Sequence, residues 1–199
     1  MAELMSTPTT TETTAGTGAP PAAGATVWLT GLPSAGKTTI ATALADRLRA
    51  AGRRVEVLDG DEIRTFLSAG LGFSKEDRHT NVQRIGFVAE LLARNGVLVL
   101  VPVIAPYADS RAAVRDRHAA HGTPYLEVHV ATPLEVCSER DVKGLYAKQR
   151  AGELTGLTGV DDPYEPPTDP DLRIETQAGT VQDSADALHT LLTDKGLLA

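Results

Sequence analysis

The sequence predicts an α/β domain: a five-stranded parallel sheet with helices on both faces and a separate closing segment. Three observations carry that expectation. Short apolar runs alternate with longer stretches of helical period, as repeated βαβ units require. The run VLVLVPVI is continuously apolar, as a strand covered on both faces must be. Residues 141–171 then break the pattern with a polar stretch rich in Gly and Pro.

Taken in order, Thr26–Thr30 is a buried strand ending at Gly31. In the following stretch, Ile40, Leu44 and Leu48 recur at i, i+4 and i+8 before Gly52, which marks an amphipathic helix with a glycine stop. RVEVLDGD is a second strand ending at Asp59, and DEIRTFLSAG is a short helix closed by Gly70. Val82, Ile85, Val88 or Ala89, and Leu92 share a face of a long helix ending at Gly96. VLVLVPVI is the third strand, and Asp109 or Ser110 caps the helix after it, to about Ala120. Tyr125–Val130 is the fourth strand, with Pro133 in the first turn of the next helix. Leu172–Thr176 is the fifth strand, and a final helix runs from Val181 to about Lys195.

Bulk properties narrow the function. The chain has 199 residues, enough for one domain, with 42% hydrophobic residues and only 4% aromatic ones, so Val, Leu, Ile and Ala must build the core. A net charge of −7 argues against a general nucleic-acid binder. The single cysteine, Cys137, permits no intrachain disulfide and fits a reducing compartment. No apolar run approaches the about 20 residues of a membrane span. Residues 1–24 hold no Lys or Arg and no apolar stretch, so they are expected to be a disordered tail and not a secretory signal. Residues 25–199 are then the folded domain, and the expected location is the cytoplasm.

The strongest motif is GLPSAGKT, residues 31–38, which matches G-x-x-x-x-G-K-[ST] between a strand and a helix. Gly31, Leu32, Pro33, Ser34, Ala35 and Gly36 form a loop whose amides face phosphate oxygens at a helix N-terminus. Lys37 reaches the β- and γ-phosphates, Thr38 offers its hydroxyl to Mg²⁺, and Thr39 follows in the helix. The motif thus predicts a nucleoside triphosphate with Mg²⁺. No N-K-x-D run marks a GTPase. The length and the late polar insert, residues of about 140–165, fit a small-molecule kinase that closes a lid to exclude water.

The acceptor side lies near the other strand ends. Asp59 and Asp61 stand at the carboxyl end of the second strand, where open α/β sheets bind ligands. A carboxylate there can accept the proton of an attacking hydroxyl or order Mg²⁺, or it can cap the next helix. Capping needs only one of them, which favours chemistry for Asp61; for Asp59 the two roles weigh equally. Arg64, Arg78, Asn81 and Arg84 are polar positions on or beside two helical segments, with Phe73 between. Arginines suit phosphate or sulfate and an aromatic ring suits a base, but a solvated charged face with Phe73 in the core has the same composition.

Longer matches decide between those readings. GLPSAGKTT, DGD with Arg64 after it, LGFSKEDRHTNVQRIGFVAEL, IAPYADSR, TPLEVCSERDVKGLYAKQRAGE and TGVDDPYEPP stand in this order. With them the chain resembles adenylyl-sulfate kinases (APS kinases) of the P-loop kinase fold, from Thr26 to about Thr176. The resemblance implies transfer of the γ-phosphoryl group of ATP to the ribose 3′-hydroxyl of adenosine 5′-phosphosulfate. The products are 3′-phosphoadenosine 5′-phosphosulfate, used in sulfate activation, and ADP. It implies Asp61 and Lys37 in catalysis, and Arg64, Arg78 and Asn81 on the phosphosulfate and sugar end. Phe73 would lie on the acceptor adenine, Lys143 by the acceptor or the transferred group, and Arg140 toward the ATP adenine. Ile104, Ala105, Pro106 and Tyr107 would shape the acceptor pocket. It also implies a homodimer.

Many members carry Ser where this chain has Ala105, Arg where it has Ala108 and Phe where it has Leu157. Leu157 still packs on a base face but loses aromatic stacking, worth about 1 kcal/mol. Ala105 offers no hydroxyl, so the expected reaction is direct in-line transfer with no phosphoenzyme at that position. Arg140, Lys143, Lys148 and Arg150 cluster in the insert, as a lid over polyphosphate needs. Two competing readings are a kinase of the same fold with another hydroxyl acceptor, and a non-catalytic nucleotide-binding regulator. Outside the site, His118 and His121 read as surface residues, and Cys137 and Trp28 as packed side chains.

Overall fold

The computed structural model describes residues 24–198. Its parallel sheet has the order β2-β3-β1-β4-β5, built from β1 (Ala25–Thr30), β2 (Val55–Val57), β3 (Leu98–Pro102), β4 (Tyr125–Val130) and β5 (Leu172–Ile174). The connecting helices are α1 (Lys37–Ala50), α2 (Gly60–Thr65), α3 (Lys75–Ala93), α4 (Ala108–Ala120), α5 (Leu134–Arg140), α6 (Leu145–Arg150) and α7 (Val181–Asp194).

The central strands are buried along their whole length, and their side chains alternate between two cores. Val27, Leu29, Leu98 and Leu100 join Ile40, Leu44 and Leu48 of α1 and Leu188 and Leu192 of α7 in one cluster. Trp28, Val99 and Val101 face the other way, onto Val82, Ile85 and Ala89 of α3 and Val114 of α4. That alternation is why helices cover both faces. Leu44 is fully buried, and trimming such a leucine to alanine costs about 2–5 kcal/mol. Trp28 and Cys137 are buried, as expected.

Helices α3 and α4 touch at Gly86. A Cβ there would lie 2.6 Å from Val114 Cγ2, so only glycine admits this approach. Ser74 caps α3 through the amide of Asp77, and Thr180 and Asp183 form a reciprocal capping box on α7.

Some boundaries differ from expectation. Strand β2 stops at Val57, and β5 at Ile174. Helix α2 ends at Thr65 and continues as turns to Gly70. Helix α4 starts at Ala108, with Tyr107 as its N-cap, so Asp109 lies in the first turn and Asp109 and Ser110 do not cap it. Pro133 is the N-cap of α5 and not a first-turn residue. The polar insert is not wholly irregular, since it contains α6.

His118 is the clearest correction: it is buried, not a surface residue. It shares the inner face of α4 with Arg111 and Val114. Its Nδ1 donates to the Val114 carbonyl at 2.8 Å, which leaves Nε2 to accept from the Thr26 hydroxyl at 2.9 Å. Burial pushes its pKa down. His121, at the end of the same helix, is exposed, as expected. The expected tail lies outside the described residues, except that Gly24 is buried against the backbone of Ala93 and Val97.

Candidate active site

The carboxyl ends of the strands surround a cleft of about 1030 Å³ beside β1, where the β1–β2 connection runs to one side of the sheet and the β3–β4 connection crosses to the other. Pro33, Ser34, Ala35, Gly36, Lys37, Thr38 and Thr39 form its floor. Ser34 and Gly36 adopt φ of 61° and 101°, which turns successive loop amides toward one centre. Gly31 and Leu32 do not line the cleft, but their carbonyls accept from Lys37 Nζ at 2.9 and 2.8 Å. The lysine is thus bent back over the loop, with a donor left for a ligand oxygen. Burial lowers its pKa to about 8, partly offset by the nearby Cys137.

Of the two roles that the sequence left open for Asp59, the structure shows the helix cap, and it places the second carboxylate oxygen on Thr38. Its Oδ1 accepts from the Asp61 amide at 2.9 Å and caps α2, while Oδ2 accepts from the Thr38 hydroxyl at 2.7 Å. Hydroxyl and carboxylate are hard oxygen donors, and they suit a Mg²⁺ that keeps several waters and binds mainly through phosphate. Among the described residues no group of three or more His, Cys, Asp and Glu forms a metal cage. Asp61 points across the cleft and its Oδ2 is ion-paired with Lys143 Nζ.

The far wall holds the expected acceptor residues Arg64, Phe73, Arg78, Asn81, Ile104, Ala105, Pro106 and Leu157. Phe73 is exposed, with the Arg64 guanidinium 4.5 Å from its ring centre and that of Arg78 at 5.5 Å. Arg78 is buried, and each of its three nitrogens donates within the protein: Nε to the Phe73 carbonyl at 2.8 Å, Nη1 to the Thr158 hydroxyl at 2.9 Å and Nη2 to the Gly156 carbonyl at 2.7 Å. It ties α3 to the loop that carries Leu157. Asn81 is buried too, and its Oδ1 has no partner among the described residues. Arg84 donates to the Leu67 carbonyl and lies outside the cleft.

Tyr107 does not line the cleft. It is buried beside it, and its hydroxyl donates to Asp162 Oδ1 at 3.2 Å. As the N-cap of α4 it leaves the loop in a different direction from Pro106, which sequence spacing does not reveal.

Arg140 lines the opposite end of the cleft, where Nη1 donates to the Thr176 hydroxyl at 2.8 Å. The Thr132 and Thr176 hydroxyls are 2.7 Å apart, and Thr132 donates to the Ala35 carbonyl at 2.8 Å. This network braces the phosphate loop from behind. Thr176, Gly179, Thr180, Val181 and Ser184 complete that wall and were missed from sequence. The available signal was positional: TQAGT follows the last strand at its carboxyl end. Lys148 is exposed, and Arg150 donates to the Ser138 hydroxyl; neither lines the cleft.

A family model described as adenylylsulphate kinase matches residues 23–175. The chain is 56% identical over 178 residues to the adenylyl-sulfate kinase of Rippkaea orientalis, covering 88% of this chain and 95% of that one. It is 52% identical over 176 residues to that of Myxococcus xanthus, covering 88% and 95%. Among solved structures, the Mycobacterium tuberculosis APS kinase in complex with AMPPNP and APS superposes with a TM-score of 0.84 at 47% identity, over 87% of this chain and 99% of that one. Together with the phosphate loop and the cleft beside it, these likenesses mean that the chain belongs to the adenylylsulphate kinase family.

Proposed function

We propose that Asp61 and Lys37 carry the kinase reaction, with ATP over the phosphate loop and adenosine 5′-phosphosulfate against Phe73 and the Ile104–Pro106 loop. The acceptor 3′-oxygen forms a bond to the γ-phosphorus as the bond from that phosphorus to the β,γ-bridging oxygen breaks. ADP leaves, and the hydroxyl proton passes to the Asp61 carboxylate. The observation that carries this reading is the junction of Lys37, Thr38, Asp61 and Lys143 around one cleft.

Lys37 holds the transferred phosphate and offsets the charge that grows on the bridging oxygen. Thr38 and Asp59 would hold Mg²⁺, which neutralises phosphate charge when bound. Asn81 Oδ1 accepts from a hydroxyl or amine of the acceptor, since it is buried without a protein donor. Arg64 and Lys143 supply cations for the phosphosulfate, and Arg140 packs toward the ATP base. The segment of residues 141–161 acts as the lid. Ala105 has no hydroxyl, so transfer is direct. A homodimer is part of the same proposal, supported by the exposed Phe87 and Leu91, one turn apart on a face of α3; light scattering tests it.

The test is purified protein with ATP, Mg²⁺ and adenosine 5′-phosphosulfate, following ADP and the 3′-phosphorylated product together. The expected result is equal formation of both, abolished by chelating Mg²⁺ and restored by adding it back. ADP without the second product would sink the acceptor assignment.

A further inference from the structure

Arg111 has no place in the reaction as described, yet it is among the most buried charges in the chain, with only 3% of its side chain exposed. It does not line the cleft. Its guanidinium spreads over three acceptors from three parts of the sequence. Nε donates to Glu127 Oε1 on β4 at 2.6 Å, Nη1 to the Ala105 carbonyl at 2.8 Å and Nη2 to the Glu165 carbonyl at 2.8 Å.

The Ala105 contact matters because Ala105 has φ of 43°, a left-handed conformation that costs a non-glycine residue about 1–3 kcal/mol. Such a residue persists only where its surroundings over-determine it. The flanking contacts do this from both sides. The Thr30 hydroxyl donates to the Ile104 carbonyl at 2.5 Å, and the Glu165 amide donates to the Pro106 carbonyl at 2.8 Å. The Ala108 amide donates to Glu165 Oε2 at 2.7 Å. Segment 162–165 is therefore stapled to the acceptor loop from outside the cleft, whereas 141–161 has no such staple to that loop. Two side chains tie both segments of this staple to the sheet: Thr30 of β1, whose hydroxyl also lies 3.1 Å from the Tyr164 hydroxyl, and Arg111, which alone of the two carries a charge and reaches the Ala105 carbonyl at 2.8 Å.

We propose that Arg111 is a positioning residue for the acceptor nucleotide: through the Ala105 and Glu165 carbonyls it holds the Ile104–Pro106 loop in its strained, binding-competent form. The proposal rests on the assignment of that loop to the acceptor. It separates Arg111 from the ATP end of the cleft, where none of its contacts lie.

The decisive variant is Arg111→Lys. An ammonium keeps the charge opposite Glu127, which Arg115 also pairs at 3.1 Å, but it cannot span all three acceptors. Wild-type turnover is measured first; its absence would refute the acceptor assignment and not the role of Arg111 alone. Given turnover, Arg111→Lys is expected to raise KM for adenosine 5′-phosphosulfate about tenfold while KM for ATP stays near wild type, with a lower melting temperature from the buried acceptors left unpaired. The uncharged pair Arg111→Met with Glu127→Gln is expected to show the same split, and decides the matter if the lysine variant fails to fold. An unchanged acceptor KM, an equal rise in both KM values, or loss of folding in both variants would each overturn the proposal.

Discussion

Lys143 lies on the carboxylate of Asp61, an ion pair that joins the turn before α6 to the N-terminus of α2 across 82 positions of sequence. Both side chains are more than half exposed, so the pair contributes about 0–1 kcal/mol and yields readily to a substrate. This contact places an ammonium group beside Asp61 at the edge of the cleft.

If Asp61 takes the acceptor proton, Asp61→Asn should lower kcat by about 10²–10⁴-fold while ATP affinity stays within about twofold. Steady-state kinetics with calorimetric titration of ATP checks both. Turnover near wild type would remove Asp61 from the chemistry. Lys143→Ala should act mainly on the acceptor and lid closure, so its effect on kcat/KM for the acceptor should exceed its effect on ATP binding.

Lys37 gives a pH signature. Its pKa in the free protein is about 8, and bound polyphosphate must raise it. The protonated form binds, so affinity is full below pH 8 and falls as the pH rises above it. ATP affinity should drop about tenfold per pH unit from 8 upward until the raised pKa of the complex is reached. Lys37→Arg remains charged and should flatten that slope.

Two histidines predict acid sensitivity. Burial is the main cause that brings His129 down to about 4, with Arg173 and Arg111 adding to it, and burial also lowers His118. The unfolded chain, with histidines near 6.5, takes up protons first as the pH falls. Stability is therefore complete above about 6.5 and is lost progressively toward 4. The melting temperature should fall by about 5 °C or more between pH 7 and pH 5, and His129→Gln should reduce that drop.

Gly86→Ala tests the α3–α4 contact. The added Cβ would meet Val114 at 2.6 and 2.9 Å, which outweighs the gain in helix propensity. The expected destabilisation is about 1–3 kcal/mol by denaturant unfolding. Val114→Ala in the same chain should recover part of it, so the two changes should be non-additive.

Much of this protein follows from local chemistry. Strand β1, the phosphate loop and α1 are legible because apolar runs, a fixed motif spacing and a period near 3.6 act within about twenty residues. Asp61, Arg64, Phe73 and Asn81 are legible through the matches that carry the family resemblance. Tertiary structure decided what depends on which segments meet. The order β2-β3-β1-β4-β5 brings Asp59 to Thr38 and Lys143 to Asp61. It buries His118, whose spacing from His121 says nothing about which face of α4 meets the sheet. It turns Tyr107 out of the cleft and binds the nitrogens of Arg78 to a loop 78 and 80 residues away. It also gives Arg111 three acceptors separated along the chain, because a buried guanidinium takes whatever carbonyls and carboxylates packing places around it, and no periodicity records them.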